Sequence, residues 1–217
     1  QTMLGQEGKG WFDHALPTAD ELKESIFQAH ERADSIGVLS TIIENHDEPR
    51  GVSHYISEGP VNDTSKKALG TIQVLRKGIP FIYQGQEIGM ENQVFESVED
   101  FDDIATINGY HVAKEAGLSE EEALAAIAKY SRDNARTPMQ WSAEPGLGFS
   151  DGPAWLISPK PNVAINVEDQ EKDPNSILNY YRQLTALYRH PLYGNTIRFG
   201  DMIPAYRDRE NIIAFER

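Results

Sequence analysis

Cysteine is absent from all 217 residues, which excludes disulfides and thiolate metal sites. Long apolar runs are absent too; none approaches the ~18 residues that a membrane helix needs. Basic residues are scarce: Lys+Arg is 20 against Asp+Glu 34, a formal net charge of −14. Such a balance repels phosphate backbones and anionic lipid surfaces, so no nucleic-acid or membrane partner is expected. The acidic excess by itself names no substrate; a solvated acidic surface accounts for it. There is no internal repeat and no low-complexity segment. What is present is enough apolar material, 39% of residues, to bury a core of ordinary size. Gln1 opens the chain without a charged n-region or an apolar h-region, so no signal peptide is expected. The chain stops at Arg217, just past Asn211-Ile212-Ile213-Ala214-Phe215, which reads as a strand. A fragment of a longer protein is the expectation.

Thr18-Ala-Asp-Glu21 has the form of a capping box, with Leu22, Ile26, Ala29 and Ala33 following at helical spacing; a helix is expected over about 19–34. Val38-Leu-Ser-Thr-Ile-Ile43 reads as a buried strand. Asp63 and Thr64 are set to cap a helix over about 65–77, with Ala68, Ile72 and Leu75 inward and Gly78 ending it. Ile79-Pro-Phe-Ile-Tyr83 reads as a second buried strand. Strand, helix, strand makes a βαβ unit and hence a parallel sheet in an α/β fold. Beyond Gly85 a helix is expected near 97–113, and Ser119-Glu-Glu-Glu122 opens another through about Tyr130. A loop rich in Gly, Pro and Ser fills 142–162. Asp173-Pro174 has the chemistry of an N-cap and first helical residue. Ile177, Tyr181, Leu184 and Tyr188 then mark an amphipathic helix over about 176–189. The tail, 195–217, reads as short strands with polar turns, so a domain boundary is expected near 190–194.

The segment richest in chemistry is Glu44-Asn-His-Asp-Glu-Pro-Arg50, at the C-terminal end of the first strand. In β/α barrels catalytic groups sit at such strand ends. Local chemistry makes Asp47 a candidate acid, base or charge stabiliser. The same residues also read as a capped turn with Pro49 ending the strand, and His46 as an ordinary loop histidine. No second His or carboxylate lies at a metal-ligand spacing, so no metal site is expected. Glu87 is a further candidate acid. Trp141 and Tyr83 read either as stacking faces for a ligand or, preferred as buried aromatics, as core.

Four segments in order carry a family resemblance. Asn45-His-Asp47 with Glu-Pro-Arg50 resembles the last conserved block of the α-amylase superfamily, glycoside hydrolase family 13. Tyr83-Gln-Gly-Gln-Glu-Ile-Gly-Met90 is similar to that family's eighth strand and the loop after it. Ser131-Arg-Asp-Asn-Ala-Arg-Thr-Pro-Met-Gln-Trp141 resembles a motif of the oligo-1,6-glucosidase and trehalose-6-phosphate hydrolase branch. Ile165-Asn-Val-Glu168 with Asp173-Pro-Asn-Ser-Ile-Leu-Asn-Tyr-Tyr-Arg182 resembles that branch's entry into the last barrel helix. The resemblance spans about 18–217.

It implies the C-terminal part of a (β/α)8 TIM barrel, the last two strands and helices, over 1–190 with the insert after strand eight. The start of an all-β, sandwich-type C-terminal domain would follow over 191–217, and 1–17 would be the end of a linker. It further implies a retaining α-glucosidase acting on short α-glucosides by double displacement. Asp47 would be the carboxylate that grips sugar hydroxyls and favours the oxocarbenium-like transition state. His46 would bond the same ring, and Arg132 would hold the non-reducing-end glucose. Arg50 would support the loop from beneath, and Glu87 would be structural. Glu48 stands where close relatives commonly have Gln, on the leaving-group side, leaving aglycone preference open. The family's nucleophile Asp and acid/base Glu lie on its fourth and fifth strands, and no segment here resembles either, so the isolated chain is expected to be inactive. The rival readings are trehalose-6-phosphate hydrolase and a non-catalytic α-amylase-like binding subunit. No cofactor is implied, the partner is a small oligosaccharide, and family habit suggests the cytoplasm. Two strands cannot close a barrel, which leaves sheet edges open to self-association.

Overall fold

Short polar residues at the heads of apolar stretches fix where the helices begin. The computed structural model describes residues 17–34, 36–56, 59–156 and 161–217; the linker reading of 1–17 falls almost wholly outside them. Thr18 caps α1 (Ala19–Ala33) with the expected box, its side chain accepting from the Glu21 N–H while Glu21 reaches back to the Thr18 N–H. Of the expected stripe only Ile26 is buried. Lys23, Ile26, Phe27 and His30 are buried, because the tail turn packs there: Lys23 donates to the Arg209 carbonyl and Arg207 lies over the Phe27 ring. Leu22 and Ala29 instead line an open cavity beside the first strand.

β1 (Ser40–Thr41) and β2 (Ile79–Pro80) pair in parallel, Ser40 opposite Ile79 and Thr41 opposite Pro80. Between them run α2 (Gly51–Tyr55) and α3 (Asp63–Leu75), which completes the expected βαβ unit. The ladder is shorter than the runs 38–43 and 79–83 suggested. Gln73 of α3 reinforces it, donating to the Thr41 carbonyl at 2.9 Å and the Phe81 carbonyl at 2.8 Å. Asn62, not Asp63 or Thr64, caps α3, in a reciprocal box with Ser65. Gly78 does not end that helix. It sits at φ 142°, where a Cβ would meet the Leu39 carbonyl at 2.6 Å, so it lets the chain pass close beneath β1.

The expected helix near 97–113 is divided. A 3-10 turn covers Val98–Asp100, and α4 (Ile104–Glu115) starts afresh because Asp103 accepts from the Ala105 and Thr106 N–H groups. α5 (Glu120–Tyr130) begins at the Ser119 box as expected, and a short α6 (Asp133–Arg136) follows. α7 (Val167–Lys172) precedes α8 (Ile177–Tyr188). Asp173 does not cap α8; it takes the Asn175 N–H in a turn at 2.8 Å, and Ser176 is the cap. In the tail, α9 (Gly194–Phe199) occupies sequence expected as strand. β3 (Ile203–Ala205) and β4 (Ala214–Glu216) then pair antiparallel.

Apolar side chains gather in separate clusters that frame the loops. Ile43, Val52 and Leu69 lie beneath β1; Ile88, Met90, Met139 and Leu178 hold the segment after β2; Phe95, Phe101 and Ile127 join α5 to the insert. The loops after β1 and β2 both meet α6, where Arg136 donates to the His46 carbonyl and Tyr83 to the Ala135 carbonyl. Among the described residues no helix is long and apolar enough to cross a membrane.

Candidate active site

Asn45 turns the chain after β1: its side chain accepts the Asp47 N–H at 2.7 Å, which points the following carboxylate outward. Below this turn Arg50 is fully buried. It donates to the carbonyls of Gln84 at 2.7 Å and Asn134 at 3.2 Å, and faces Glu44 at 3.3 Å. Arg50 therefore ties together the loop after β1, the loop after β2 and α6, and does not reach the surface. Burial pushes the Glu44 carboxyl up, against the pull of the Arg50 charge and the Gly51 N–H.

Arg132, at the N-cap of α6, and Arg136, its last residue, both reach Asp47. Arg132 Nη1 is 3.2 Å and Arg136 Nη2 3.3 Å from Asp47 Oδ1. Arg136 Nε also donates to the His46 carbonyl at 3.0 Å. His46 Nε2 lies 3.2 Å from Asp47 Oδ2. Asp47 nonetheless keeps 54% of its side chain exposed, so one edge of the carboxylate is open to a ligand. The structure thus brings Asp47, His46 and Arg132 together. Glu48 points elsewhere: it lines a cavity of about 800 Å³ with Asn45, His54, Tyr55 and Arg76. Burial, with a smaller push from Asp47, raises its pKa.

Three participants were not singled out from the sequence. Arg136 was legible in principle, since Arg132-x-x-x-Arg136 spaces two guanidinium groups one helical turn apart. Asp133 adjoins Arg132 in the chain and lies three residues before Arg136, so it too was legible as an ion partner; Asp103 was not, because only the fold brings the start of α4 to α6. Asp103 Oδ1 accepts from Arg132 Nε at 2.8 Å and Nη2 at 2.6 Å. Burial alone would raise the Asp103 pKa, but hydrogen bonds from Arg132 and Thr106 and the Arg132 charge hold it below the usual range. The same pairing raises the pKa of Arg132.

Beside the cluster, and sharing Arg136 with it, a groove of about 540 Å³ is lined by Trp141, Phe149, Trp155 and Glu87. Trp141 is half exposed rather than core, because its N–H and C=O bond Leu147 and Glu168 and hold it on a surface loop. Tyr83 is half-buried and donates to the Ala135 carbonyl at 3.1 Å. Glu87 Oε2 is buried and has no hydrogen-bond partner. Trp155 Nε1 donates to Asp102 at 3.2 Å. Carboxylate, guanidinium groups, imidazole and exposed aromatic faces together suit a polyhydroxylated ring.

The family model for the alpha-amylase catalytic domain matches residues 3–193. A probable oligo-1,6-glucosidase 2 of Bacillus subtilis is 41% identical over 183 residues, 84% of this chain and 33% of that protein. The trehalose-6-phosphate hydrolase of the same organism is 35% identical over 80% of this chain and 30% of its own length. An isomaltulose synthase structure from Klebsiella sp. LX3 superposes with a TM-score of 0.85 at 30% identity, over 94% of this chain and 36% of that one. The chain thus spans about a third of the length of the curated relatives it matches.

Proposed function

The chain belongs to the alpha-amylase catalytic-domain family, and its fold is accordingly part of a (β/α)8 barrel; from that premise we propose that it is the Asp47-bearing part of a retaining α-glucosidase acting on short α-glucosides such as isomaltose. The observation that carries this reading is Asp47 itself, held by Arg132 and Arg136 with His46 alongside and one edge free. A carboxylate fixed in this way accepts hydrogen bonds from neighbouring sugar hydroxyls. Its charge, oriented in advance, favours the positive charge that develops at the anomeric carbon. The exposed faces of Trp141 and Trp155 offer a stacking surface for the sugar on the far side of the scissile bond.

Double displacement takes a nucleophilic carboxylate and an acid/base about 5 Å apart. The carboxylates joined to Asp47 through arginine, Asp103 and Asp133, are buried and face Arg132 and Arg136, so neither supplies the missing role. The 217-residue chain alone is therefore inactive in this proposal. Likeness to a trehalose-6-phosphate hydrolase makes that activity the rival. Both arginines at the site already face carboxylates, which favours a neutral glucoside over a phosphorylated one. The clustering of Asp47, His46 and Arg132 favours an enzyme over a non-catalytic binding subunit. The absence of cysteine supports a cytoplasmic setting.

A hybrid tests this, with the chain replacing the matching third of the Bacillus subtilis oligo-1,6-glucosidase relative. The hybrid is expected to hydrolyse isomaltose with retention and to ignore trehalose-6-phosphate. Asp47→Asn is expected to lower kcat by on the order of 10²–10³-fold, and the unspliced chain to turn over nothing. A folded hybrid that binds without hydrolysis, or one that prefers the phosphorylated sugar, would sink the reading. Turnover by the chain alone that Asp47→Asn abolishes would overturn its inactivity.

A further inference from the structure

The Asp47–Arg132 pair is part of a closed circuit of two arginines and three aspartates, completed through backbone N–H groups. From Asp47 it runs to Arg132 at 3.2 Å, and from Arg132 to Asp103 at 2.6 and 2.8 Å. The backbone N–H groups of Asp102 and Asp103 donate to Asp133 Oδ2 at 2.9 and 2.8 Å. Asp133 Oδ1 lies 3.5 Å from Arg136 Nη1, and Arg136 Nη2 returns to Asp47 at 3.3 Å. Exposure grades along it: Asp133 is fully buried and Asp103 nearly so, while Arg132 keeps 34% of its side chain exposed and Asp47 54%. The buried side is thus anchored to backbone and the open side faces the ligand.

Resting on the reading of Asp47 and Arg132 as sugar-gripping groups, we propose that Asp103, in the insert after β2, is a positioning residue for substrate recognition. Asp103 takes the Nε edge of Arg132, and this leaves Nη1 as the group that meets Asp47 and the ligand. Free in solution, an arginine loses much rotamer freedom when it binds; held from behind, it enters binding already ordered. Asp103 also caps α4, and one substitution separates the two tasks. In Asp103→Asn the amide oxygen still caps the helix as well as aspartate does, but the charge that holds Arg132 is gone.

The test combines two readouts. In the 217-residue chain, solvent exchange of the Arg132 Nε–H, followed by nitrogen-15 NMR, is expected to quicken roughly tenfold in Asp103→Asn, with α4 amide protection unchanged. In the hybrid, kcat/KM for isomaltose is expected to fall roughly tenfold or more, mainly through KM, with part of the loss recovered in Asp103→Glu. Unchanged exchange at Arg132 overturns the proposal, as does unchanged kcat/KM with Arg132 loosened. An inactive parent hybrid would count against the glucosidase reading, while the exchange measurement would still decide whether Asp103 orders Arg132.

Discussion

His30 sits in α1 with 8% of its surface exposed and faces the charges of Arg76, Arg217, Lys77 and Asp34. Burial, joined by the three cations, lowers its pKa from 6.5 to about 4, with Asp34 pulling weakly the other way. The sign of the consequence follows from proton counting. Between pH 6.5 and about 4 an unfolded chain binds a proton at His30 that the folded chain refuses. Stability therefore falls as pH drops through that window and stops falling from this cause below it. Urea midpoints at pH 7.5 and pH 5 check this in the parent and in His30→Gln; the parent is expected to lose more on acidification. Equal losses would mean that His30 takes its proton inside the fold. Glu44 shows the contrasting outcome for a buried charge. It keeps a buried partner, because Arg50 and the Gly51 N–H meet it within hydrogen-bonding reach. That is the arrangement a buried carboxylate requires, since an unpaired one is strongly destabilising.

The contact between α3 and α8 depends on a residue that a hydrophobic pattern does not register. Gly70 lies where a Cβ would come within 2.8 Å of the Tyr181 ring and hydroxyl. That hydroxyl accepts from Gln86 at 2.9 Å, so the ring cannot simply swing away. Alanine would improve helix propensity by about 1 kcal/mol, against an overpacking cost of about 1–3 kcal/mol. Gly70→Ala is therefore expected to destabilise by on the order of 1 kcal/mol in a urea titration. A more stable variant would show that α3 and α8 part freely. The same helix shows what the sequence could and could not tell. Ala68, Ile72 and Leu75 were the legible stripe, yet the face that packs is Lys66, Leu69, Gly70, Gln73 and Val74. Lys66 is buried because it donates to the Gly89 carbonyl at 2.9 Å and pairs with Glu91, and Gln73 because it bridges β1 and β2. Hydropathy counts both as surface. α8 was read almost correctly, since Ile177, Tyr181 and Leu184 are apolar and buried. That Asp47, His46 and Arg132 would lie together was legible through motif order. Asp103 was not, because its partner is 29 residues away and only tertiary packing joins them.

At the scale of the whole molecule, the parallel sheet has one covered face and one open one. Thr41 and Ile43 are buried, at 1% and 8% exposed, while Val38, Ile42, Ile79 and Phe81 keep 57%, 44%, 52% and 54% of their surface in solvent. Alternation along a strand puts alternate residues on opposite faces, so this exposure forms a patch rather than a scatter. A two-stranded sheet also leaves backbone donors and acceptors unpaired along its edges. We propose that in solution this face pairs with the same face of a second copy. The net charge of −14 opposes that pairing, and salt screens charges beyond about 8 Å at physiological ionic strength. Self-association is therefore expected to strengthen with both protein and salt concentration. Sedimentation velocity across a range of each reads this directly. Ile42→Lys combined with Phe81→Lys places charge on the patch without touching the Asp47 cluster, and is expected to return the chain to monomer. A parent chain that sediments as a compact monomer throughout, in high salt as in low, would show that the open face is tolerated in water and that the proposed pairing does not occur.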